Sequence, residues 1–336
     1  MYSSSGTLMS AGNDILSLQK DFFSNLEKKG RSPNTLKNYK TDLHCFNQYI
    51  EKQSTKLSVG QLDIKSVQAY GQYLETRYTS DNSRRRRVQA LRLFFDFLVE
   101  KQVVDSNPVR SIPSSPKFLD IPRPVPLVDL KTLWQYLLEE GHSSSKMNRL
   151  LAKRNQVIVL LIYSGALKVS DLSSLTKDAI TLPMKPEEGP RVLVSPPKRD
   201  SYTIPLCQAF VPVYLDYLNE LSLRQEEQEI EFSHVLFNAN PYRILAGGLS
   251  SRGLEIVFEE WRGKLMVNVT PKSLRQACIF RWLHGTHPDG LIKEWMGVAP
   301  SYSLKLYKEH LNNHAYNDTF LLELFHHYKT KDYARN

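Results

Sequence analysis

Cations suited to gripping a phosphate recur through the second half of this 336-residue chain, at Lys168, Lys198, Arg199, Lys272 and Arg275, and a tyrosine, Tyr307, follows them. A guanidinium offers a phosphate two parallel N–H donors, whereas an ammonium acts as a point charge. Lys272 and Arg275 stand three apart in Thr270-Pro271-Lys272-Ser273-Leu274-Arg275, so on a helix they share a face. Lys168 lies in Gly165-Ala166-Leu167-Lys168-Val169-Ser170-Asp171-Leu172, where one helix ends near Gly165 and the next begins with Ser170 as N-cap. A lysine on that corner can reach a bound phosphate, or simply face water. Lys198 and Arg199 occupy the polar turn Pro196-Pro197-Lys198-Arg199-Asp200. A lysine there can enter a DNA groove or protonate a leaving oxygen, and a solvated turn explains it equally well. Tyr307 has Lys305 and Lys308 beside it. A phenol, with a pKa near 10, becomes a nucleophile only when cations and a base surround it.

A second basic feature is Ser83-Arg84-Arg85-Arg86-Arg87-Val88-Gln89-Ala90-Leu91-Arg92. Four arginines open a helix, where positive charge opposes the macrodipole by up to about 1 kcal/mol. A sequence that accepts this cost points to an anionic partner. Arg84, Arg85, Arg86, Arg87 and Arg92 are therefore candidate DNA contacts, together with Arg199. The alternative is a solvated charge run.

The elements that must position these groups are mostly helical. Ser32-Pro33 is an N-cap followed by proline at the first helical position, and Leu36, Tyr39, Leu43, Phe46 and Ile50 then recur at steps of three and four. Helices are expected at about 13–29, 61–78 and 82–101 as well, making a four-helix bundle over 13–106. Pro108, Pro113, Pro116, Pro122, Pro124 and Pro126 mark 107–126 as a semi-rigid linker. Residues 127–336 form the second domain. Helices are expected near 130–140, 148–164, 207–223, 250–264, 271–284, 289–296 and 300–312, with a tail helix near 317–328. A hairpin pairs 191–195 with 202–205. The fold class is mainly α with a small β-sheet or hairpin.

The balance of 44 Lys+Arg against 35 Asp+Glu, a net +9, suits a polyanionic partner. No apolar run approaches the roughly 20 residues that span a bilayer, so no membrane partner is expected. The opening Met1–Asp14 lacks the basic and apolar segments of a secretory signal and is expected to be a disordered arm over 1–12. Cys45, Cys207 and Cys278 show no metal-ligand spacing, which suggests a reducing, cytoplasmic setting and no metal site.

Taken in order, these pieces resemble the tyrosine recombinase (phage integrase, Xer-like) family, from about residue 14 to 327. Ser32-Pro33-Asn34-Thr35-Leu36, with Tyr39, Asp42-Leu43 and Phe46, is similar to the opening helix of the family's core-binding (SAM-like) domain. Arg86-Arg87-Val88-Gln89-Ala90-Leu91-Arg92, with Phe95 and Leu98, resembles the helix that lies against DNA, and Asn107-Pro108 its domain end. Leu167-Lys168-Val169-Ser170-Asp171-Leu172 stands where the family writes Leu-Arg-x-Ser-Glu-Leu. Lys198 stands near its hairpin lysine, Lys272-Ser273-Leu274-Arg275 at its His-x-x-Arg, and Met296-Gly297-Val298 at its Leu-Gly-His. Tyr307 falls nine residues after Val298, the family's nucleophile spacing.

The resemblance implies two domains that grip opposite faces of duplex DNA, and a catalytic-type α+β domain in residues 127–336. It also implies DNA-dependent homo-oligomers through the tail helix, a cytoplasmic, nucleoid-associated location, and no cofactor. Three positions depart from it. Lys168 keeps the charge of an arginine without its two-pronged grip. Lys272 replaces a histidine, as in the related type IB topoisomerases. Val298 replaces a histidine and donates nothing. Losing one such donor costs about 10²–10³ in rate. His284, His287 and His310 are candidate substitutes. Two functions follow: a recombinase in which Tyr307 forms a 3′-phosphotyrosyl bond to DNA, or an architectural DNA-binding protein with reduced or lost cleavage. The three departures favour the second.

Overall fold

The computed structural model describes residues 14–52, 62–110, 121–185, 188–197, 199–311 and 319–333. The N-terminal arm, the central part of the proline segment (111–120) and Lys198 lie outside the described residues. The chain forms two compact units, one within 1–118 and one within 119–336.

In the first unit, side-chain caps start the helices by accepting the N–H groups that a helix leaves unpaired. Asp14 accepts from Ser17 N–H before α1 (Ile15–Lys28), and Ser32 from Thr35 N–H before α2 (Pro33–Glu51), with Pro33 in the first turn. Asp63 accepts from Ser66 N–H at 2.8 Å before α3 (Ile64–Arg77), and α4 (Asp81–Glu100) follows. The apolar faces meet in a core of Phe22, Leu43, Phe46, Tyr70, Leu91, Phe94 and Leu98. Aromatic edges fill it: Phe22 meets Phe94 at 5.6 Å and Phe46 meets Tyr70 at 5.0 Å between centroids. Gln19 and Asn47 exchange two hydrogen bonds of 2.8 and 2.9 Å inside the bundle, which satisfies both buried amides and sets the α1–α2 register.

The second unit is built around α6 (Lys146–Gly165), which is buried without interruption from Gln156 to Gly165. Helix α6 is wrapped by α5 (Leu127–Glu140), α8 (Phe210–Gln228) and α10 (Pro271–His284), so its apolar residues point in every direction. A three-stranded antiparallel sheet runs β1 (Ile180–Thr181), β2 (Arg191–Val194), β3 (Tyr202–Pro205), with Val194 opposite Tyr202 and Arg191 opposite Pro205. The expected hairpin thus gains a third strand. A second hairpin, β4 (Phe237–Ala239) with β5 (Ile244–Gly248), was absent from the sequence reading. It is anchored from within: buried Arg154 donates to Phe237 O at 3.0 Å, and burial pushes the guanidinium pKa down to about 10.

The remaining helices are α7 (Val169–Ser173), α9 (Ser251–Leu265), α11 (Asp289–Trp295), α12 (Lys305–Leu311) and α13 (Thr319–Tyr333). Two boundaries correct the sequence reading. Helix α7 is capped at Lys168, not Ser170, because the acid three residues on does the work: Asp171 accepts the Lys168 N–H at 3.0 Å. Helix α12 begins at Lys305 rather than Pro300, after a turn in which Tyr302 N–H bonds Ala299 O.

Candidate functional site

Three chain reversals in the second unit build the site. The first ends α6. A side chain at Gly165 would place its Cβ 2.7 Å from the Leu206 side chain and 2.8 Å from that of Leu167, so glycine lets the helix end close against both leucines without displacing them. Ala166 follows in the left-handed region at φ 51°, which costs a non-glycine residue roughly 1 kcal/mol. The second reversal ends α11. Gly297, at φ +56°, lets its own N–H bond Glu294 O at 2.8 Å and the Val298 N–H bond Lys293 O at 3.1 Å. A Cβ there would also collide with the Tyr202 hydroxyl, so both the backbone angle and the close approach favour glycine. The third is the β2–β3 turn, closed at its base by a 2.8 Å bond between Ser195 Oγ and Ser201 Oγ.

Cations from three elements meet at these reversals. Helix α10 starts on the Thr270 cap with Pro271 behind it, and its face presents Arg275 inward. Arg275 donates from Nη1 to Ala166 O and from Nη2 to Met296 O, the latter at 2.7 Å. Lys168 Nζ donates to Gly297 O at 2.9 Å, and Arg199 Nη1 donates to the same oxygen at 2.8 Å. Lys168, Arg199 and Arg275 therefore converge on two consecutive carbonyls. Among the described residues none of the three forms an ion pair with a carboxylate, and Asp171 is the acid whose charge reaches Lys168 and Arg275.

The electrostatics reflect that crowding. Burial, then the charges of Arg275 and Arg199, push the Lys168 pKa below its ordinary value, against the pull of Asp171. Burial lowers Arg275, opposed by Asp171, Tyr307, Tyr202 and Cys278. Burial, then Asp171, raises the Tyr202 phenol, and Arg275 and Arg199 oppose the rise. A cluster of positive charge held by neutral carbonyls, with spare N–H donors, is suited to an anion.

The other expected residues sit as follows. Lys272 is exposed, one turn from Arg275 on α10. Val298 is half-buried against the apolar core of the unit. Tyr307, on α12, is half-buried, and its ring meets the Phe280 edge at 5.6 Å. His310 is half-buried one turn further along α12. His287 packs its ring 5.1 Å from Trp295. His284 is exposed at the end of α10; nine residues from Arg275 it projects from the opposite helix face, about 13 Å along the axis. Arg199, expected as a DNA contact, thus lies beside Lys168, and Tyr202 joins the site without a motif to mark it. Strand parity was the available signal for Tyr202, which shares a face with buried Ile204.

The arginines of the first unit are differently engaged. Arg84 pairs with Asp81 in its own first turn. Arg86 donates to the buried Asp42 of α2 from Nε and Nη2, at 3.1 and 3.0 Å. Arg87 is buried, with its guanidinium 3.7 Å over the Tyr78 ring and a 2.9 Å bond to Ser83 O. Arg85 and Arg92 are half-buried.

Residues 20–102 match the family model described as phage integrase, N-terminal SAM-like domain. The chain is 30% identical over 164 residues to tyrosine recombinase XerD of Shewanella oneidensis, covering 46% of this chain and about half, 48%, of that protein. It is 23% identical over 289 residues to XerD of Listeria innocua, covering 83% and 89% of the two chains. It is 22% identical to XerC of Chlamydia muridarum, covering 78% and 82%. Its fold is similar to that of a lambda integrase dimer bound to a COC′ core site, with TM-score 0.60, 14% identity, and 91% and 78% of the chains covered. It is also similar to XerH recombinase bound to its difH substrate, with TM-score 0.59, 14% identity, and 93% and 88% covered.

Proposed function

We propose, from the premise that the chain belongs to the tyrosine recombinase family, that it binds duplex DNA with a phosphodiester seated at Lys168 and Arg275, and that its strand cleavage is reduced or lost. The observation that carries this reading is local. The cations keep an anion grip, whereas Val298, directly after the carbonyl that two of them share, is a half-buried apolar side chain packed against the core. Phosphate affinity survives such a change; stabilisation of a pentacoordinate phosphorus suffers, because its charge needs every preorganised donor.

The second reading is an active recombinase, and the packing of α12 on α10, which sets Tyr307 against Phe280 of the helix that carries Arg275, favours it. Tyr307 Oη would give up its proton and attack phosphorus, the bond to the 5′ oxygen would break, and that oxygen would take up one proton in return and leave as a hydroxyl. A 5′-hydroxyl attacking the 3′-phosphotyrosyl bond would reverse the step. The balance of bonds is conserved, so strands exchange without an outside energy source.

Oligomers on DNA and a cytoplasmic, chromosome-associated setting belong to the same proposal. Helix α13 supplies the means of assembly, although in the single chain it packs on its own unit: Phe320 meets Trp134 and Tyr163 edge-on, and Glu323 pairs with Lys131 at 2.8 Å. Among the described residues, no helix is long and apolar enough to cross a membrane.

A pool of nicked duplexes with randomised cores tests the proposal, with Tyr307→Phe as control. Salt-sensitive duplex binding without a denaturant-resistant adduct is the expected result. An adduct that the natural chain forms in near-stoichiometric yield and Tyr307→Phe does not form overturns it in favour of the recombinase.

A further inference from the structure

We infer that Arg199 is a phosphate-binding residue of the pocket, the second guanidinium beside Arg275, and not a contact to the outer DNA backbone; this rests on reading the pocket as a phosphodiester site. Three observations carry it.

The first is geometry. Arg199 lies on an exposed turn, yet its guanidinium folds inward to Gly297 O at 2.8 Å, beside Lys168 Nζ at 2.9 Å. One carbonyl oxygen has two lone pairs, and here both approaching donors are full cations. Arg199 and Lys168 each retain further N–H donors around that shared point.

The second is construction. The turn does not leave Arg199 to chance. Pro196 and Pro197 restrict the backbone, the Arg199 N–H bonds Pro196 O at 3.4 Å, and the Ser195–Ser201 hydroxyl bond closes the base. Tyr202, the first residue of β3, is pressed against Gly297, so the strand that carries the turn is fitted to the same backbone that receives the guanidinium.

The third is charge. Lys168 lacks the planar fork that grips two phosphate oxygens, and Arg199 supplies one from a different element. With no carboxylate paired to Lys168, Arg199 or Arg275 among the described residues, an anion is the group that relieves their mutual repulsion.

The test uses the full chain and inorganic phosphate, followed through the Gly297 amide resonance, with Arg199→Gln, Arg199→Lys and Arg191→Gln. Arg191 is an exposed arginine on β2 and controls for loss of one charge on the same sheet. We expect Arg199→Gln to weaken phosphate binding by about tenfold or more, the scale of a hydrogen bond to a charged group. Arg199→Lys should fall between it and the natural chain, and Arg191→Gln should match the natural chain within about twofold. Unchanged ligand-free signals of Ile162 and Phe258, buried in the core of the same unit, show that the variant remains folded. Phosphate titrations that coincide for Arg199→Gln and the natural chain overturn the inference, as does a natural chain that shows no phosphate shift at Gly297. Duplex binding is measured alongside. If the natural chain takes phosphate at Gly297 but not duplex DNA, the functional reading fails and this assignment stands; if it binds duplex while Arg199→Gln titrates normally, the reverse holds.

Discussion

The two basic regions of this molecule treat positive charge in opposite ways. In the first unit, a run of four arginines is largely engaged by the protein itself: Arg84 by Asp81, Arg86 by buried Asp42, and Arg87 by the Tyr78 ring. In the second unit, cations separated by up to 107 positions along the chain, from Lys168 to Arg275, rest on neutral carbonyls. A carboxylate or an aromatic face satisfies a guanidinium as charge; a carbonyl satisfies only its hydrogen bonds and leaves the charge for something else. The denser cluster in sequence is thus the more structural one.

The largest expected effect sharpens the second half of that comparison. If the pocket is an intact grip short of one donor, Val298→His should increase covalent adduct on nicked duplex by about 10²-fold, the worth of one such donor, with duplex affinity little changed. A folded Val298→His chain that forms no more adduct than the natural one would show that the deficit lies elsewhere.

Next is Arg275→Gln. Its guanidinium alone spans Ala166 O and Met296 O, so the variant should lose about 10–100-fold in duplex affinity and about 1–3 kcal/mol in the stability of the second unit. Hydrogen exchange resolved by unit separates the two effects. Affinity loss without destabilisation would mean that the carbonyl bonds contribute nothing to the fold.

Arg86→Gln is the counterpart. It strands the buried Asp42 carboxylate, a loss of 3–5 kcal/mol when both partners are buried. With 49% of the Arg86 side chain exposed, about 1–2 kcal/mol is expected, confined to the first unit. A stable Arg86→Gln chain whose duplex affinity falls as far as that of Arg275→Gln would erase the distinction between the two regions.

The same contrast explains what could be read before the structure. Helix starts at Ser32-Pro33 and Thr270-Pro271 were legible because the capping atoms lie three residues from their partners. The β4–β5 hairpin was not, because its anchor is Arg154, 83 residues from Phe237 in sequence. The cap of α7 was misread because a hydroxyl at Ser170 is the commoner signal than an acid reaching back from Asp171. Lys168 and Arg275 stood out by motif. Their meeting with Arg199 depends on where two left-handed residues, Ala166 and Gly297, aim their carbonyls, and no local pattern states that. Asp42, likewise, neutralises an arginine 44 positions away.

The smallest expected effect is a pH dependence, and its two signs are opposite. Lys168 has a folded-state pKa below its unfolded value, through burial and the charges of Arg275 and Arg199 outweighing Asp171. Below the folded pKa both states carry the proton, and the native state bears the full penalty of the crowded charge. As pH rises through the folded pKa the native state sheds the proton first, the unfolded state binds more, and stability rises; the gain is complete above the unfolded lysine value of about 10.4. Duplex binding moves the other way in the same window, since the ammonium that meets the phosphate is lost. Lys168→Gln should abolish both trends while leaving Arg275 in place. Binding that stays level to pH 10 in the natural chain, or a fall of equal size in Lys168→Gln, would show that Lys168 does not contribute its charge to the grip.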